Sequence, residues 1–321
     1  MPKISTLIDK TNQSEIDRLM IGFLENLEVE RNCSPLTIRN YSHYLGRFSQ
    51  WLKDNFNKIN PGSLTLDIIK KYRLYLARYT ALNGAPLSRS TQSYHVIALR
   101  SFLRWLIKND IETLAPEKID LPKGQNHSLK FLTADQVERL LGQPIISSLI
   151  GLRDKVILEV LFSTGLRVSE LVRINRDQVE QGRKEFGVIG KGNRPRVVFL
   201  SDRAVSWIKR YLAKRKDSWK PLFIHFKGRG SVENDGEKMR LTSRSVERIL
   251  LKYVKKSGLP VKATPHVLRH SFATDLLMAG ADIRSVQEML GHKNIATTQI
   301  YTHITNKQLR QVHETFHGKG K

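Results

Sequence analysis

The chain has 321 residues, of which 40% are hydrophobic, and this length accommodates two domains of ordinary size. It carries 54 Lys and Arg against 30 Asp and Glu, a net charge of +24. It has no apolar run of 18 residues, no signal-peptide segment, and a single cysteine, Cys33, which excludes an internal disulfide. We therefore expect a cytoplasmic protein that does not bind membranes. Its expected partner is a polyanion, and nucleic acid is the first choice.

The positive charge is spread along the chain. Residues 1–130 carry 19 Lys and Arg against 12 Asp and Glu, and the remainder carries 35 against 18. Membrane-surface binding usually concentrates charge in a tail or on one amphipathic helix, so the spread favours nucleic acid. A generally basic protein without such a partner is the alternative.

The first part predicts a helical bundle with basic faces. Ser34 and Pro35 are typical of the N-cap and first position of a helix. Its buried stripe is predicted to contain Tyr41, Leu45, Phe48 and Leu52. Further helices are predicted over about 14–30, 65–81 and 88–108. In the last one, Arg100 and Arg104 leave three residues for the core, namely Ile97, Phe102 and Leu106.

Prolines, a glycine and polar residues interrupt the periodicity over about 119–131, which predicts a linker between domains 1–118 and 132–321. Thr133 and Gln136 have the spacing of a capping box and predict a new helix. The second domain is mainly helical. Residues 185–200 predict a β-hairpin around "GKGNR", and the run "PLFIHF" at 221–226 favours a further strand more weakly. Residues 227–241 resemble a loop.

Two basic side chains lie at breaks in the second part. In "TGLRVSEL" one helix ends at Thr164–Gly165 and another begins at about Arg167, so this arginine can point outward. An ordinary surface arginine, or one paired with Glu170, explains the pattern as well. Lys191 lies in the glycine-flanked turn of the predicted hairpin and can reach a DNA phosphate, although turn lysines are usually only solvated.

The stretch "TPHVLRHSFATDLL" predicts a helix that begins after Thr264 with Pro265. His266 and Arg269 then share one face near the positive end of the helix, which suits a phosphate. The residues at 268, 272 and 276 form a separate apolar stripe, so we expect that His266 and Arg269 need not be buried. A His–Arg pair that merely caps the helix is the alternative.

The helix of "IRSVQEML" is predicted to end at Gly291, and His292 follows directly. Asn294 can cap a last short helix that carries Tyr301. A buried tyrosine with a satisfied hydroxyl is the ordinary explanation for Tyr301 taken alone.

These six residues together suit attack on a phosphodiester. Arginine forks stabilise the extra charge of a pentacoordinate phosphorane, a tyrosine hydroxyl can attack phosphorus, and a histidine or lysine can move the proton. The sequence has no carboxylate cluster with metal-ligand spacing and no P-loop. We therefore expect neither a metal ion, nor ATP, nor any other cofactor.

The order of these residues resembles the catalytic signature of tyrosine recombinases: Arg167, Lys191, His266-x-x-Arg269, His292 and Tyr301. The stretches "TGLRVSEL", "HVLRHSFAT", "LGH" and "T-x-x-Y-T-H" resemble the Xer-like branch of the phage-integrase family. The resemblance covers essentially the whole chain. It implies a mainly α fold: a helical core-binding domain that clamps DNA, then a mainly helical catalytic domain with a small antiparallel β-sheet.

The resemblance also implies roles. Tyr301 would be the nucleophile that forms a 3′-phosphotyrosyl link, and Arg167 and Arg269 would clamp the scissile phosphate. Lys191 would protonate the leaving 5′ oxygen. His266 would assist proton transfer at the tyrosine. His292 would make a hydrogen bond to the phosphate.

The resemblance further implies that double-stranded DNA is the partner and that four protomers, identical or of two kinds, assemble on two sites. The tail "NKQLRQVHETFHGKGK" would dock on a neighbouring protomer, or it is simply a frayed basic terminus. The need for a second recombinase or an accessory activator as a further partner remains open. Dimer resolution and mobile-element integration both remain open. A catalytically silent DNA-binding protein and a type IB topoisomerase-like relaxase of the same fold are the alternatives.

Overall fold

The computed structural model describes residues 14–57, 59–81, 84–121, 130–179, 184–190, 194–226, 233–260 and 263–291. The described residues up to 121 belong to one compact unit, and those from 130 onward belong to a second. In the described part of the chain, each helix is too short or too polar to cross a membrane.

The first unit contains the four predicted helices: α1 (Glu15–Val29), α2 (Pro35–Asn55), α3 (Leu66–Arg78) and α4 (Arg89–Lys108). Each helix begins after a Ser or Thr whose side chain accepts a hydrogen bond from a backbone N–H of the first turn. Their apolar faces form one core around Phe23, Phe48, Tyr72 and Phe102. The predicted helical bundle is confirmed.

The predicted core face of α4 is wrong at one residue. Phe102 and Leu106 are fully buried, but Ile97 is 39% exposed. Residues 97 and 102 are five positions apart, which is 140° around a helix of 3.6 residues per turn. The buried stripe instead passes through Leu99 and Leu103.

In its described residues the second unit contains seven helices: α5 (Ala134–Leu141), α6 (Leu149–Thr164), α7 (Val168–Leu171), α8 (Asp202–Lys214), α9 (Ser243–Ser257), α10 (Pro265–Met278) and α11 (Ile283–Leu290). Helices α5 to α10 share one core, and α11 packs against α10 in a smaller cluster around Phe272 and Leu290. The predicted capping box of Thr133 and Gln136 begins α5. Helix α6 is buried along nearly its whole length and packs against α8 and α10, so it is the central helix of the unit.

The predicted hairpin is present. Strands β1 (Glu185–Ile189) and β2 (Pro195–Phe199) pair antiparallel, with Val188 opposite Arg196. The N–H of Gly190 donates to the carbonyl of Arg194 at 2.8 Å and closes the hairpin next to its turn.

The weaker prediction of a strand at 221–226 is wrong, since this segment forms only isolated bridges at Pro221 and Ile224. Leu222, Phe223 and Ile224 are all buried in succession. The alternation of a half-exposed strand is therefore missing, and the segment crosses the core as irregular chain. The predicted loop after it contains a 3-10 helix at Glu233–Met239.

Candidate active site

The corner between α6 and α7 positions Arg167. Helix α6 ends at Gly165, which has a left-handed φ of 59°. A Cβ atom at this position would lie 2.4 Å from the Phe272 ring, so only glycine fits the close approach of α10. Leu166 is fully buried, and Arg167 then begins α7 with its side chain about a quarter exposed. The tight corner thus turns the arginine out of the core.

The first turn of α10 carries the next two residues of the predicted set. The Thr264 side chain accepts from the backbone N–H of Val267, and Pro265 occupies the first helical position, as predicted. His266 lies on the exposed side of this turn. These local signals place the helix start at the position where the sequence predicts it.

The expectation that Arg269 need not be buried is wrong, because only 4% of the residue is exposed. Its guanidinium donates to the carbonyl of Gly165 at 2.6 Å and to the carbonyl of Leu290. Both carbonyls lie at helix C-termini, where the backbone has no partner within its own helix. Arg269 therefore joins the ends of α6 and α11 to the start of α10, a contact that helical periodicity does not reveal.

One cleft of about 560 Å³ brings these groups together. Its walls include Arg167, His266 and Arg269, and Leu251 and Pro265 add apolar surface. Arg167 and Arg269 are about a hundred residues apart in sequence, so the fold supplies this convergence. The other three predicted site residues, Lys191, His292 and Tyr301, lie outside the described residues.

Glu170 is the carboxylate that organises the arginines of this site. Its oxygens accept from the Arg167 backbone N–H at 2.8 Å and from the Arg167 guanidinium at 3.0 Å. Both oxygens also accept from Arg196, at 2.9 and 2.7 Å. Burial alone would raise the pKa of Glu170, but the hydrogen bonds and charges of the two arginines outweigh it and lower the pKa to about 2. The carboxylate is therefore ionised at all ordinary pH values.

His266 has an environment that favours the neutral imidazole. Partial loss of solvent at the cleft wall lowers its pKa, and the charges of Arg269 and Arg167 lower it further. His270 lies one turn along α10, with its ring 6.4 Å from that of His266. Burial lowers the pKa of His270 to about 4, with smaller contributions from His266 and Arg269. A neutral imidazole at the cleft can accept a proton.

From the sequence, Arg196 was not identified as part of the site. Glu170 was considered only as an ordinary ion-pair partner of Arg167. The signal for Arg196 was present in the strand "PRVVF", because residues 196 and 198 share one face. Val198 is buried in the core. A charged residue at an inward position of an alternating strand predicts a buried partner.

The described part of the cleft is suited to bind an anion. Guanidinium groups bind phosphate oxygens through paired N–H donors, and the start of α10 adds the positive end of a helix. One of the two cleft arginines is fixed by a carboxylate and the other by two backbone carbonyls. Their geometry is therefore set before a ligand arrives, which is the requirement for electrostatic catalysis.

The comparisons with known proteins agree with this chemistry. The sequence matches the phage integrase family over residues 130–308, and the phage integrase N-terminal SAM-like domain over residues 20–110. The tyrosine recombinase XerD of Lacticaseibacillus casei is 35% identical over 309 residues, which cover 94% of this chain and 99% of the relative. The tyrosine recombinase XerC of Pelotomaculum thermopropionicum is also 35% identical, over 94% and 98% of the two chains.

The protein therefore belongs to the phage integrase family. Within it, the chain is a tyrosine-type site-specific recombinase, as the sequence predicts.

Solved structures support the fold. The XerH site-specific recombinase bound to a palindromic difH substrate has a TM-score of 0.68 and 23% identity, and the match covers 97% of this chain and 91% of that one. The Tn1549 transposon integrase in complex with transposon right end DNA has a TM-score of 0.70 and 18% identity, and the match covers 92% and 99%. The predicted mainly α fold with a small antiparallel sheet is confirmed.

We predict that Glu170→Gln destabilises the second unit by about 3 kcal/mol at pH 7, because it leaves buried Arg196 without its counter-charge. The folded pKa of Glu170, about 2, lies below the ordinary 4.5. The stabilisation is therefore complete above about pH 4.5 and is lost as pH falls toward 2. Denaturant unfolding of wild type and variant across this range measures the difference. Glu247→Gln, an exposed glutamate of the same cleft, is the control, and an equal loss in both variants would contradict the prediction.

We predict that the imidazole of His266 titrates below pH 6.5 in the protein without DNA, for the reasons of burial and charge given above. NMR of histidine-labelled protein follows each ring through a pH titration. The signal that disappears in His266→Asn identifies the ring, and His270→Asn identifies its neighbour. A midpoint for His266 at or above 6.5 would contradict the prediction, because burial and the arginine charges would then not lower its pKa.

Proposed function

We propose that the cleft binds the scissile phosphate of duplex DNA and that the enzyme cleaves and rejoins strands through a 3′-phosphotyrosyl intermediate on Tyr301. The observation that carries the proposal is the convergence of Arg167, Arg269 and His266 on one cleft. Two guanidiniums and a neutral imidazole are the groups that a metal-free attack on phosphorus requires.

The arginines stabilise the charge of the transition state. When the tyrosine oxygen attacks, negative charge increases on the non-bridging phosphate oxygens, and fixed guanidinium forks bind it more strongly than in the ground state. Arg167 is held by Glu170 and Arg269 by the ends of two helices, so neither has to reorganise during the reaction. His292 adds a hydrogen bond to the phosphate in this proposal.

Proton transfers accompany the two bond changes. His266, neutral because its pKa is lowered, accepts the phenolic proton of Tyr301 as the new ester bond forms. Lys191 gives a proton to the 5′ oxygen as its bond to phosphorus breaks. The number of phosphoester bonds is unchanged, so the released 5′ hydroxyl can attack the phosphotyrosine and restore the strand without ATP.

Double-stranded DNA is the proposed partner. The net charge of +24 supports it, and so do the similar structures, in which XerH is bound to a palindromic difH substrate and the Tn1549 integrase is in complex with transposon right end DNA. We propose the sequence-based domain plan as well: a DNA-clamping core-binding domain over 1–118, a linker over 119–131 and a catalytic domain over 132–321. The two matched family regions support this division.

We further propose a tetramer on DNA, assembled through the tail at 306–321, of one kind of protomer or of two, with an accessory activator where the reaction requires one. Similarity over nearly the full length to proteins called XerC and XerD supports a Xer-like role such as dimer resolution over mobile-element integration. The proposed place of action is the cytoplasm.

Covalent capture tests the proposed reaction. We would incubate the protein with a library of randomised duplexes, each nicked so that cleavage releases a short fragment and traps the enzyme. Wild type should give a covalent protein–DNA complex on a denaturing gel, and sequencing of the trapped duplexes should reveal the site. Tyr301→Phe should give none, because it lacks the attacking oxygen, whereas the exposed Tyr94→Phe should behave as wild type.

The alternatives give different results in this assay. No complex with wild type would indicate a DNA-binding protein without catalysis. A complex with relaxation of supercoils, but no recombinant product from two captured sites, would indicate a topoisomerase-like relaxase. A complex formed by Tyr301→Phe would show that another residue is the nucleophile.

We predict that Arg167→Ala slows cleavage of the captured site by roughly 100- to 1,000-fold, the usual effect of losing one donor to the transition state. DNA affinity should change little, because binding is spread over many phosphate contacts. Single-turnover rates at saturating DNA and a binding titration separate the two quantities. Arg173→Ala, an exposed arginine nearby, is the control. Parallel losses of affinity and rate in Arg167→Ala would contradict this division.

A further inference from the structure

The side chain of Arg196 packs in space between Gly190 and Gly291. Each of these glycines directly precedes, in the sequence, a residue of the predicted catalytic set. A Cβ atom on Gly190 would lie 2.9 Å from the Arg196 Nη1 atom, and one on Gly291 would lie 2.9 Å from its Cδ atom. Lys191 follows the first glycine and His292 follows the second. Arg196 therefore fills the space beside both points where the chain continues to a predicted catalytic residue.

All three nitrogens of the Arg196 guanidinium make hydrogen bonds. Nη1 and Nη2 donate to the two oxygens of Glu170, at 2.9 and 2.7 Å, and Nε donates to the carbonyl of Met289 at 3.2 Å. The side chain is 10% exposed. A bidentate pair of this kind fixes orientation as well as distance. It joins β2 to α7 and to the end of α11.

The same ion pair also contacts Gly190, the residue that follows β1. The Cβ position of Gly190 also lies 3.4 Å from a Glu170 oxygen, so the Glu170–Arg196 pair packs directly against the Gly190 backbone. The N–H of Gly190 is in turn bonded to the Arg194 carbonyl, two residues before Arg196. Gly190, which directly precedes Lys191, therefore contacts the Glu170–Arg196 ion pair on one side and is hydrogen-bonded to Arg194 on the other.

We propose that Arg196 is a positioning residue of the recombinase, which fixes Gly190, the residue directly before Lys191, against Glu170 and the end of α11. The inference rests on the proposed function, in which Lys191 protonates the leaving 5′ oxygen. Arg196 acts through these neighbours and not on the phosphate.

A purely stabilising arginine is available for comparison in the same unit. The side chain of Arg153 is 8% exposed, pairs with Asp154 and donates to the carbonyl of Ile224 at 2.8 Å. It thus has the burial and the kinds of partner that Arg196 has, but the atoms nearest the Cβ positions of Gly190 and Gly291 include none of its own. A variant of Arg153 reports what loss of a buried ion pair does by itself.

The test uses the chemistry of the leaving group. Cleavage forms the bond from phosphorus to the Tyr301 oxygen and breaks the bond to the 5′ oxygen, which must gain a proton. In a duplex with a 5′-bridging phosphorothiolate, the phosphorus–sulfur bond breaks instead. The thiolate leaves without a proton, because a thiol has a far lower pKa than an alcohol. A defect in general acid catalysis is therefore relieved by sulfur, whereas a general loss of folding or phosphate binding is not.

The probes are two nicked duplexes with one sequence captured by the wild-type protein, one all-phosphate and one with sulfur at the scissile 5′ position. We expect Arg196→Met to lower the single-turnover rate on the phosphate duplex roughly 100-fold, the scale of general acid catalysis. On the sulfur duplex the loss should be several-fold at most, and DNA affinity should match that of wild type. Arg153→Met should lower the melting temperature without changing the ratio of the two rates.

A pair of glycine variants tests the contact without removing the arginine. Gly190→Ala places a methyl group against Nη1 and should give the same preference for the sulfur duplex, with a smaller loss. Gly187→Ala lies on the same strand with no atom within 4 Å of its new Cβ, so it should match wild type on both duplexes. Gly190→Ala decides the question if Arg196→Met fails to fold.

Equal losses on the two duplexes, or wild-type rates, in Arg196→Met would overturn the inference and leave the proposed function intact. A sulfur preference in Arg153→Met would also overturn it, because any buried pair would then have the same effect. If wild type itself forms no covalent complex, the proposed function fails and this inference fails with it.

Discussion

The end of helix α11 is the point at which the parts of the catalytic unit meet. Its last carbonyls, at residues 289–291, carry the partial negative charge of a helix C-terminus. Three guanidiniums bind them, one to each carbonyl. Arg196 binds the carbonyl of Met289, Arg269 binds that of Leu290, and Arg167 binds that of Gly291. These arginines come from the hairpin, from α10 and from the α6–α7 corner. The relative placement of four elements therefore depends on hydrogen bonds to three successive peptide groups.

This arrangement concentrates positive charge in a small volume. Glu170 balances part of it, and its pKa of about 2 reflects the surrounding cations. Repulsion among arginines opposes folding, but the same charge favours an anion in the cleft that Arg167 and Arg269 line. A phosphate bound there would offset the repulsion, so affinity for the ligand and the local free energy of folding are linked.

Most of the fold follows from local signals in the sequence. Ser or Thr caps, Pro at first helical positions and a glycine at the end of α6 place the helices, since these residues act within one turn. The errors have a common cause in tertiary packing. Ile97 lies just outside the stripe that neighbouring helices cover, and residues 222–224 lose strand alternation because they cross the core. Neither outcome depends on the segment alone.

The residues of the site also depend on tertiary packing that local sequence signals do not predict. Sequence pattern predicts that Arg167, His266 and Arg269 belong together, but only the fold shows that Arg269 is buried among helix ends. Burial and ligand binding are compatible for arginine, because a guanidinium has five N–H donors in a rigid plane. Two of these donors bind the carbonyls of Gly165 and Leu290. A lysine, with three donors on one nitrogen, could not hold two helix ends and present a fork to the same ligand. Arginine at position 269 therefore suits two roles, the joining of two helix ends and the proposed binding of a phosphate, and only the second is visible in the motif.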